Sequence, residues 1–123
     1  MLASSIVWIL VVSGIVTGAA GLAGCVAPRS LLRLAFGVDD VQNATLFFAR
    51  HWGVLIFVIG AMTVFSAYAP ATRTPILAGA ALEKIAVVAL IFFGPLKRTP
   101  AMTVIAASDG IFAILYLAYL AGL

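Results

Sequence analysis

Four long apolar runs make up most of this chain of 123 residues and limit the environment in which it can fold. They cover residues 1–28, 52–72, 76–96 and 101–123, and the first of them contains no charged side chain. A helix of about 20 apolar residues crosses the hydrocarbon core of a bilayer, where backbone polar groups need internal partners. Hydrophobic residues form 65% of the chain and charged residues only 9%, a balance foreign to soluble domains. The sequence therefore predicts an all-α transmembrane four-helix bundle that forms a single membrane domain.

Prolines and short polar connections set the expected limits of these helices. Proline lacks a backbone N–H and restricts the residue before it, so helices tend to end ahead of it or begin with it. The resulting predictions are helix 1 over about 3–27, helix 2 over about 44–68, helix 3 over about 76–94 and helix 4 over about 101–122.

The connection between helices 1 and 2 contains a short amphipathic segment. Arg29 and Arg33 are interspersed with leucines, Ser30 is a suitable N-cap, and Gly37 is a suitable end. We expect a short interfacial helix over about 30–37 that lies in the headgroup layer of the lipid bilayer. The alternative is an ordinary polar loop with some buried leucines.

Helix 3 carries two adjacent charges, Glu83 and Lys84, near the middle of its apolar run. An isolated charge at that depth costs at least ~2.5 kcal/mol on insertion scales. Neighbouring positions on a helix point about 100° apart, so each charge is expected to find a partner on another helix. We expect Lys84 to extend toward the nearer membrane surface, and Glu83 either to bond Tyr116 or to be protonated.

Further ionisable side chains lie on helices 2 and 4. Asp109 is well inside helix 4, and Arg50 is the preferred partner for it because a guanidinium suits a carboxylate in a low-dielectric setting. His51, next to Trp52, is more typical of an interfacial anchor than of a ligand. The predicted polar cluster, inside or at the edge of the bundle, consists of Arg50, His51, Glu83, Lys84, Asp109 and Tyr116.

Two interpretations of this cluster remain open. In the first, the charges hold four helices together and give specificity to a bundle with little hydrophobic drive in lipid. In the second, they line a polar cavity that binds a ligand or relays a proton, as ionisable groups at membrane depth often do. The presence of both acids and bases favours the cavity.

Several classes of function are disfavoured by what the chain contains. One histidine, one cysteine and scattered carboxylates do not assemble a metal set, and no motif calls for a cofactor. No serine nucleophile stands at a recognisable spacing from a base, so an enzyme is disfavoured. The basic residues lie in short connections and indicate topology rather than nucleic-acid binding.

Small residues follow helical spacing on the first two helices. Gly14, Gly18, Gly21 and Cys25 share one face of helix 1, and Gly53, Gly60 and Ala67 recur every seven residues on helix 2. Such stripes allow close helix packing, either within the bundle or between copies in a homo-oligomer. Five basic residues belong to the connections on one side of the four spans, and Arg73 alone to the other, so we expect both termini on the non-cytoplasmic side of a bacterial inner membrane.

The chain resembles the DoxX-like group of small four-helix membrane proteins, its short members in particular. The resemblance rests on Pro28, Leu31, Leu32, Arg33, Phe36 and Gly37, on Arg50 and Gly53, and on Glu83 and Asp109. It implies a compact four-helix bundle and, for some relatives, a role as an accessory or assembly partner of another membrane protein. We therefore expect a non-enzymatic protein that binds a lipid-like or hydrophobic small molecule or a partner membrane protein. The alternative is a proton-coupled small transporter or channel-like oligomer that titrates Glu83 or Asp109.

Overall fold

The structure, a computed structural model, describes residues 2–123, and this part of the chain contains helices and no strand. A short 3-10 turn at Leu2–Ser4 precedes the first long helix, and another at Pro70–Thr72 precedes the third. The five α-helices are α1 (Ile6–Val26), α2 (Pro28–Phe36), α3 (Asn43–Tyr68), α4 (Arg73–Phe93) and α5 (Pro100–Leu120).

Four of the helices, α1, α3, α4 and α5, are long enough and apolar enough to cross a membrane. Their outer surfaces carry large apolar side chains, among them Trp8 with 74% and Phe93 with 90% of its surface exposed. A soluble monomer rarely exposes apolar residues on this scale, whereas lipid covers them without cost. The predicted all-α transmembrane four-helix bundle is confirmed, and the protein is an integral membrane protein.

Two helices begin earlier than the sequence predicted. α2 starts at Pro28 rather than near residue 30, and Ala27 rather than Ser30 occupies its N-cap position. α4 starts at Arg73 rather than near residue 76, so that Pro75 lies inside its first turn. Both differences have one cause, because the first turn of a helix tolerates proline, whose missing N–H would have no helical acceptor there.

α1 and α3 pack along each other with glycines at their points of contact. A Cβ atom added to Gly21 would lie 2.6 Å from the carbonyl oxygen of Gly53, and one added to Gly60 would lie 2.6 Å from that of Gly14. No side chain fits at these distances, so the two backbones are in direct contact. The glycine stripes of the first two spanning helices therefore pack against each other within the bundle.

Leu2 and Leu123 lie at one end of the bundle, where the backbone N–H of Leu2 donates to the carbonyl of Leu123 at 3.2 Å. We call this the terminal end. The opposite end, which carries α2 and the turn between α4 and α5, is called the loop end. Near the terminal end, the Arg73 guanidinium donates to the carbonyls of Ser66 and Ala67 at 2.9 and 2.8 Å, which satisfies acceptors in the last turn of α3.

The apolar core is divided into two clusters. α4 packs along α5, and this pair meets the α1–α3 pair where α4 contacts α3. Leu10, Leu77 and Tyr116 are fully buried in the cluster nearer the terminal end. Ile91 and Met102 belong to the cluster nearer the loop end. Between the two clusters, the middle of the bundle contains polar side chains, among them Thr17 and Lys84.

At the loop end, the side chain of Thr99 links α2 to α5. Thr99 Oγ1 accepts a hydrogen bond from the backbone N–H of Met102 at 3.1 Å and so caps α5. The same hydroxyl donates to the carbonyl of Ala35 at 2.6 Å, near the end of α2. Gly37 then ends α2 with a φ of 68°, a left-handed conformation that glycine adopts readily. α2 is therefore held against the start of α5.

Candidate functional site

Three polar side chains meet halfway along the bundle. Thr17, Lys84 and Asp109 lie within about one residue of the midpoints of α1, α4 and α5, each of which has 21 residues. At the helical rise, each midpoint is about 15 Å from either end of its helix. In a bilayer this depth is the middle of the hydrocarbon core, where polar groups have no water to bind.

Lys84 is the centre of this arrangement and has only 1% of its surface exposed. Its Nζ donates to Thr17 Oγ1 at 2.9 Å and to Asp109 Oδ1 at 3.0 Å. The centroid of the Phe112 ring lies 5.6 Å from the same nitrogen, within the range at which a ring face attracts a cation. The amine of α4 thus joins α1 and α5 across the bundle.

Glu83 completes a set that we call the central triad: Glu83, Lys84 and Asp109. Its Oε2 lies 3.9 Å from Lys84 Nζ, close enough for an ion pair but too far for a hydrogen bond. The same oxygen is buried and has no hydrogen-bond partner among residues 2–123. Two carboxyl groups therefore share one amine, and one oxygen of Glu83 is unsatisfied.

Arg50 and His51 lie outside the central triad. Both are exposed on α3 toward its loop end, and within residues 2–123 the ion pair of Asp109 is formed with Lys84 instead. The predicted Arg50–Asp109 pair is wrong. The reason is the order of packing, because α5 lies along α4 while α3 lies along α1.

For the charges of predicted helix 3, which is α4, the expected surface position of Lys84 and the expected bond between Glu83 and Tyr116 were also wrong. Lys84 does not extend toward the membrane surface, because its amine finds two oxygen partners inside the bundle. Glu83 does not bond Tyr116, whose hydroxyl donates to Ser13 Oγ. Tyr116 does point inward and is fully buried, about two helical turns from Asp109 toward the terminal end.

The hydrogen bond between Tyr116 and Ser13 joins α5 to α1 on the terminal side of the central triad. Ser13 in turn lies 3.5 Å from the carbonyl oxygen of Leu10, to which it donates. All three residues have 0% exposure. The seam between α1 and α5 is therefore closed at this level.

A cavity of about 230 Å³ lies on the loop side of the central triad, and all five helices contribute to its wall. We call it the central cavity. Its polar surface comes from the triad together with the hydroxyls of Thr17 and Ser108. The rest of its lining is apolar and consists of Val16, Ala20, Leu31, Phe36, Trp52, Ile56, Val87, Val104 and Ile105.

The central cavity opens between α1 and α5. Val16 and Val104 both line it, yet they are 47% and 68% exposed on the outer surface of the bundle. Since these helices face lipid, the opening leads to the hydrocarbon region rather than to water. Leu31 and Phe36 of α2 cover the cavity toward the loop end.

The chemistry that the cavity offers is recognition of a polar group at the inner end of an apolar chamber. Glu83 provides a hydrogen-bond acceptor, and the hydroxyl of Ser108 provides both a donor and an acceptor. Among residues 2–123, no three or more histidine, cysteine, aspartate and glutamate side chains are grouped so as to hold a metal ion.

Of the cavity-lining residues that the sequence did not assign to the polar cluster, four have polar or aromatic side chains: Thr17, Phe36, Trp52 and Ser108. A signal existed for Thr17, because it is a polar residue at the midpoint of a charge-free run. No comparable signal marked Phe36, whose position depends on the hydrogen bond that ties α2 to Thr99.

Comparison of the chain with protein-family models, with curated proteins and with solved structures finds no match. The geometry of the central triad and central cavity is therefore what bears on function. The resemblance to the DoxX-like group stays a prediction.

Proposed function

We propose that this is a non-enzymatic integral membrane protein that binds a lipid-like or hydrophobic small molecule in the central cavity. The observation that carries the proposal is the position of the central triad at the inner end of an apolar chamber that opens toward lipid. Binding sites for small molecules commonly combine a mostly apolar lining with a few convergent polar groups. A ligand would enter from the bilayer with its polar group leading.

The incomplete pairing within the central triad supports ligand binding over a purely structural role. Charges that only hold helices together are expected to satisfy one another, because an unsatisfied buried group costs stability. Lys84 and Asp109 meet this expectation at 3.0 Å. Glu83 does not, because its buried Oε2 lacks a hydrogen-bond partner within residues 2–123. A bound molecule would supply that partner.

The second candidate is a proton-coupled small transporter or channel-like oligomer. It is favoured by the presence of two carboxyl groups at the middle of the spanning helices, where ionisable residues often carry protons. Transport requires access to the triad from both sides of the membrane. The buried hydrogen bond between Tyr116 and Ser13 blocks the terminal side of the α1–α5 seam, and this supports binding over transport.

We further propose, as the sequence predicted, membership of the DoxX-like group and a bacterial inner membrane with both termini outside the cytoplasm. The uneven distribution of basic residues supports this orientation. Arg29, Arg33, Lys97 and Arg98 belong to the loop end, whereas Arg73 lies near the terminal end. Positive charge is favoured on the cytoplasmic side. An accessory role beside another membrane protein is compatible with this arrangement.

Native mass spectrometry of the purified protein tests the binding function. We expect the wild type to retain a small molecule when it is released from detergent. Val87→Phe, which adds a ring to the cavity wall, should lose that molecule. Val54→Phe is the matched control, because Val54 is 46% exposed and does not line the cavity. Equal retention by both variants would count against the central cavity as the site.

A further inference from the structure

We propose that the head group bound in the central cavity is cationic and carries N–H donors, as a protonated primary amine does, and that it binds against Glu83. The inference rests on the proposed function, since it specifies the chemistry of the ligand that the cavity holds. Three observations support it: the charge count of the triad, the unpartnered oxygen of Glu83, and the way in which Lys84 is already occupied.

The central triad is one positive charge short when both of its carboxyl groups are ionised, and a proton on Glu83 is the alternative to a cationic ligand for balancing it. When all three groups are ionised, two carboxylates face one ammonium, and the triad carries a net charge of −1. The described residues that line the cavity include no other charged side chain. An unbalanced charge at this depth is costly, because the hydrocarbon core does not solvate it. A cationic head group in the cavity would remove that cost.

The position at which a donor is needed is Glu83 Oε2. This oxygen is buried without a hydrogen-bond partner within residues 2–123, and Lys84 Nζ is 3.9 Å away. Lys84 directs its hydrogen bonds to Thr17 and Asp109 instead. A ligand N–H would satisfy the free oxygen, and hydrogen bonds between an ammonium and a carboxylate are among the strongest in proteins.

Other head groups fit less well. An anionic head group would have to compete with Asp109 for Lys84 and would lie beside two carboxylates. A hydroxyl group would provide a donor for Glu83 but would leave the charge unbalanced. A quaternary ammonium would balance the charge but has no N–H to donate. The apolar wall, which includes Phe36 and Trp52, accommodates the hydrocarbon part in each case.

Four amphiphiles with the same chain separate these contributions: dodecylamine, dodecyltrimethylammonium, dodecanol and dodecanoate. Native mass spectrometry at neutral pH would measure the dissociation constant of each from the wild type in a non-ionic detergent. We expect dodecylamine to bind about tenfold more tightly than the others, because it alone offers both a positive charge and N–H donors to Glu83. Glu83→Gln, which keeps the size of the side chain, should abolish this preference, while dodecanol should still bind.

The outcomes distinguish failure of this inference from failure of the proposed function. Dodecanol, dodecanoate or dodecyltrimethylammonium binding as tightly as dodecylamine, with all binding lost in Val87→Phe, would overturn the cationic donor and leave a binding cavity. An amine preference that survives in Glu83→Gln would also overturn the inference. Binding that is absent for all four compounds, or unaffected by Val87→Phe, would overturn the proposed function itself.

Discussion

The amine of Lys84 and the carboxylate of Asp109 lie 3.0 Å apart at the midpoints of two neighbouring helices. Both groups lie at the depth of the hydrocarbon core, so each depends on the other and on the remaining polar atoms of the bundle. Thr17 adds a third helix to the contact at 2.9 Å from the amine. This pair is therefore both a link between helices and the inner wall of the central cavity.

Replacing Lys84 by methionine should destabilise the fold by about 3 kcal/mol, because breaking a buried ion pair leaves an uncompensated carboxylate. Lys97→Met is the control, since Lys97 is exposed at the loop end. The double variant Lys84→Met, Asp109→Leu should recover part of the loss, because it removes both charges of the pair and leaves only Glu83 uncompensated. Reversible unfolding in mixed detergent micelles gives the free energies. A Lys84→Met variant as stable as Lys97→Met would contradict the assigned role of the pair.

Gly21→Ala should destabilise the protein by about 2 kcal/mol, within the usual range for overpacking. The added methyl group would lie 2.6 Å from the carbonyl oxygen of Gly53, so α1 and α3 would have to move apart. Gly79→Ala is a matched control, because a Cβ there meets nothing within 4 Å. The same unfolding assay compares them. Equal effects of the two substitutions would argue against direct backbone contact between α1 and α3.

Tyr116 and Ser13 should show an energetic coupling of about 0.6 kcal/mol, the average measured for hydrogen bonds between transmembrane helices. A double-mutant cycle with Tyr116→Phe and Ser13→Ala isolates this value from the effects of each single change. A second cycle that pairs Tyr116→Phe with Thr103→Ala provides the control, because Thr103 is exposed elsewhere on α5. Coupling no larger than in the control cycle would mean that this contact does not join α1 to α5.

Thr99→Ala should loosen α2 as well as the start of α5. The substitution removes an N-cap, which costs about 1 kcal/mol, and the hydrogen bond to the Ala35 carbonyl at 2.6 Å. Hydrogen–deuterium exchange should therefore become faster in α2 and in the first turn of α5. Thr103→Ala removes a hydroxyl one turn later and should leave α2 unchanged. Faster exchange confined to α5 would show that α2 is held by other contacts.

The sequence predicted the fold well because the bilayer leaves a chain of this composition few alternatives. Apolar runs of about 20 residues determine the number of spanning helices, since the backbone must satisfy its own hydrogen bonds in lipid. The errors occurred at Pro28 and Pro75, where proline was taken as a boundary although both residues lie in the first turn of a helix. The fold class was unaffected by these shifts of two or three residues.

The depth of the charged residues could be read from the sequence, but their partners could not. Position along a helix follows from residue number, so Glu83, Lys84 and Asp109 were correctly expected inside the membrane-spanning helices. Which helices are neighbours depends on how surfaces fit, and here the glycines draw α1 to α3 and leave α4 beside α5. Because of that order, Asp109 forms its ion pair with Lys84, and Arg50 is exposed.

The most direct test of ligand binding is photolabelling with a long-chain alcohol that carries a diazirine, followed by mapping of the labelled residues. We predict labels on Ile56, Val87 and Ile105, which line the central cavity and are buried or half-buried. Unlabelled dodecylamine should compete for these sites, and Val87→Phe should remove them. Labels restricted to outward-facing residues such as Val12 and Ile114, in the wild type and the variant alike, would contradict a ligand site in the central cavity.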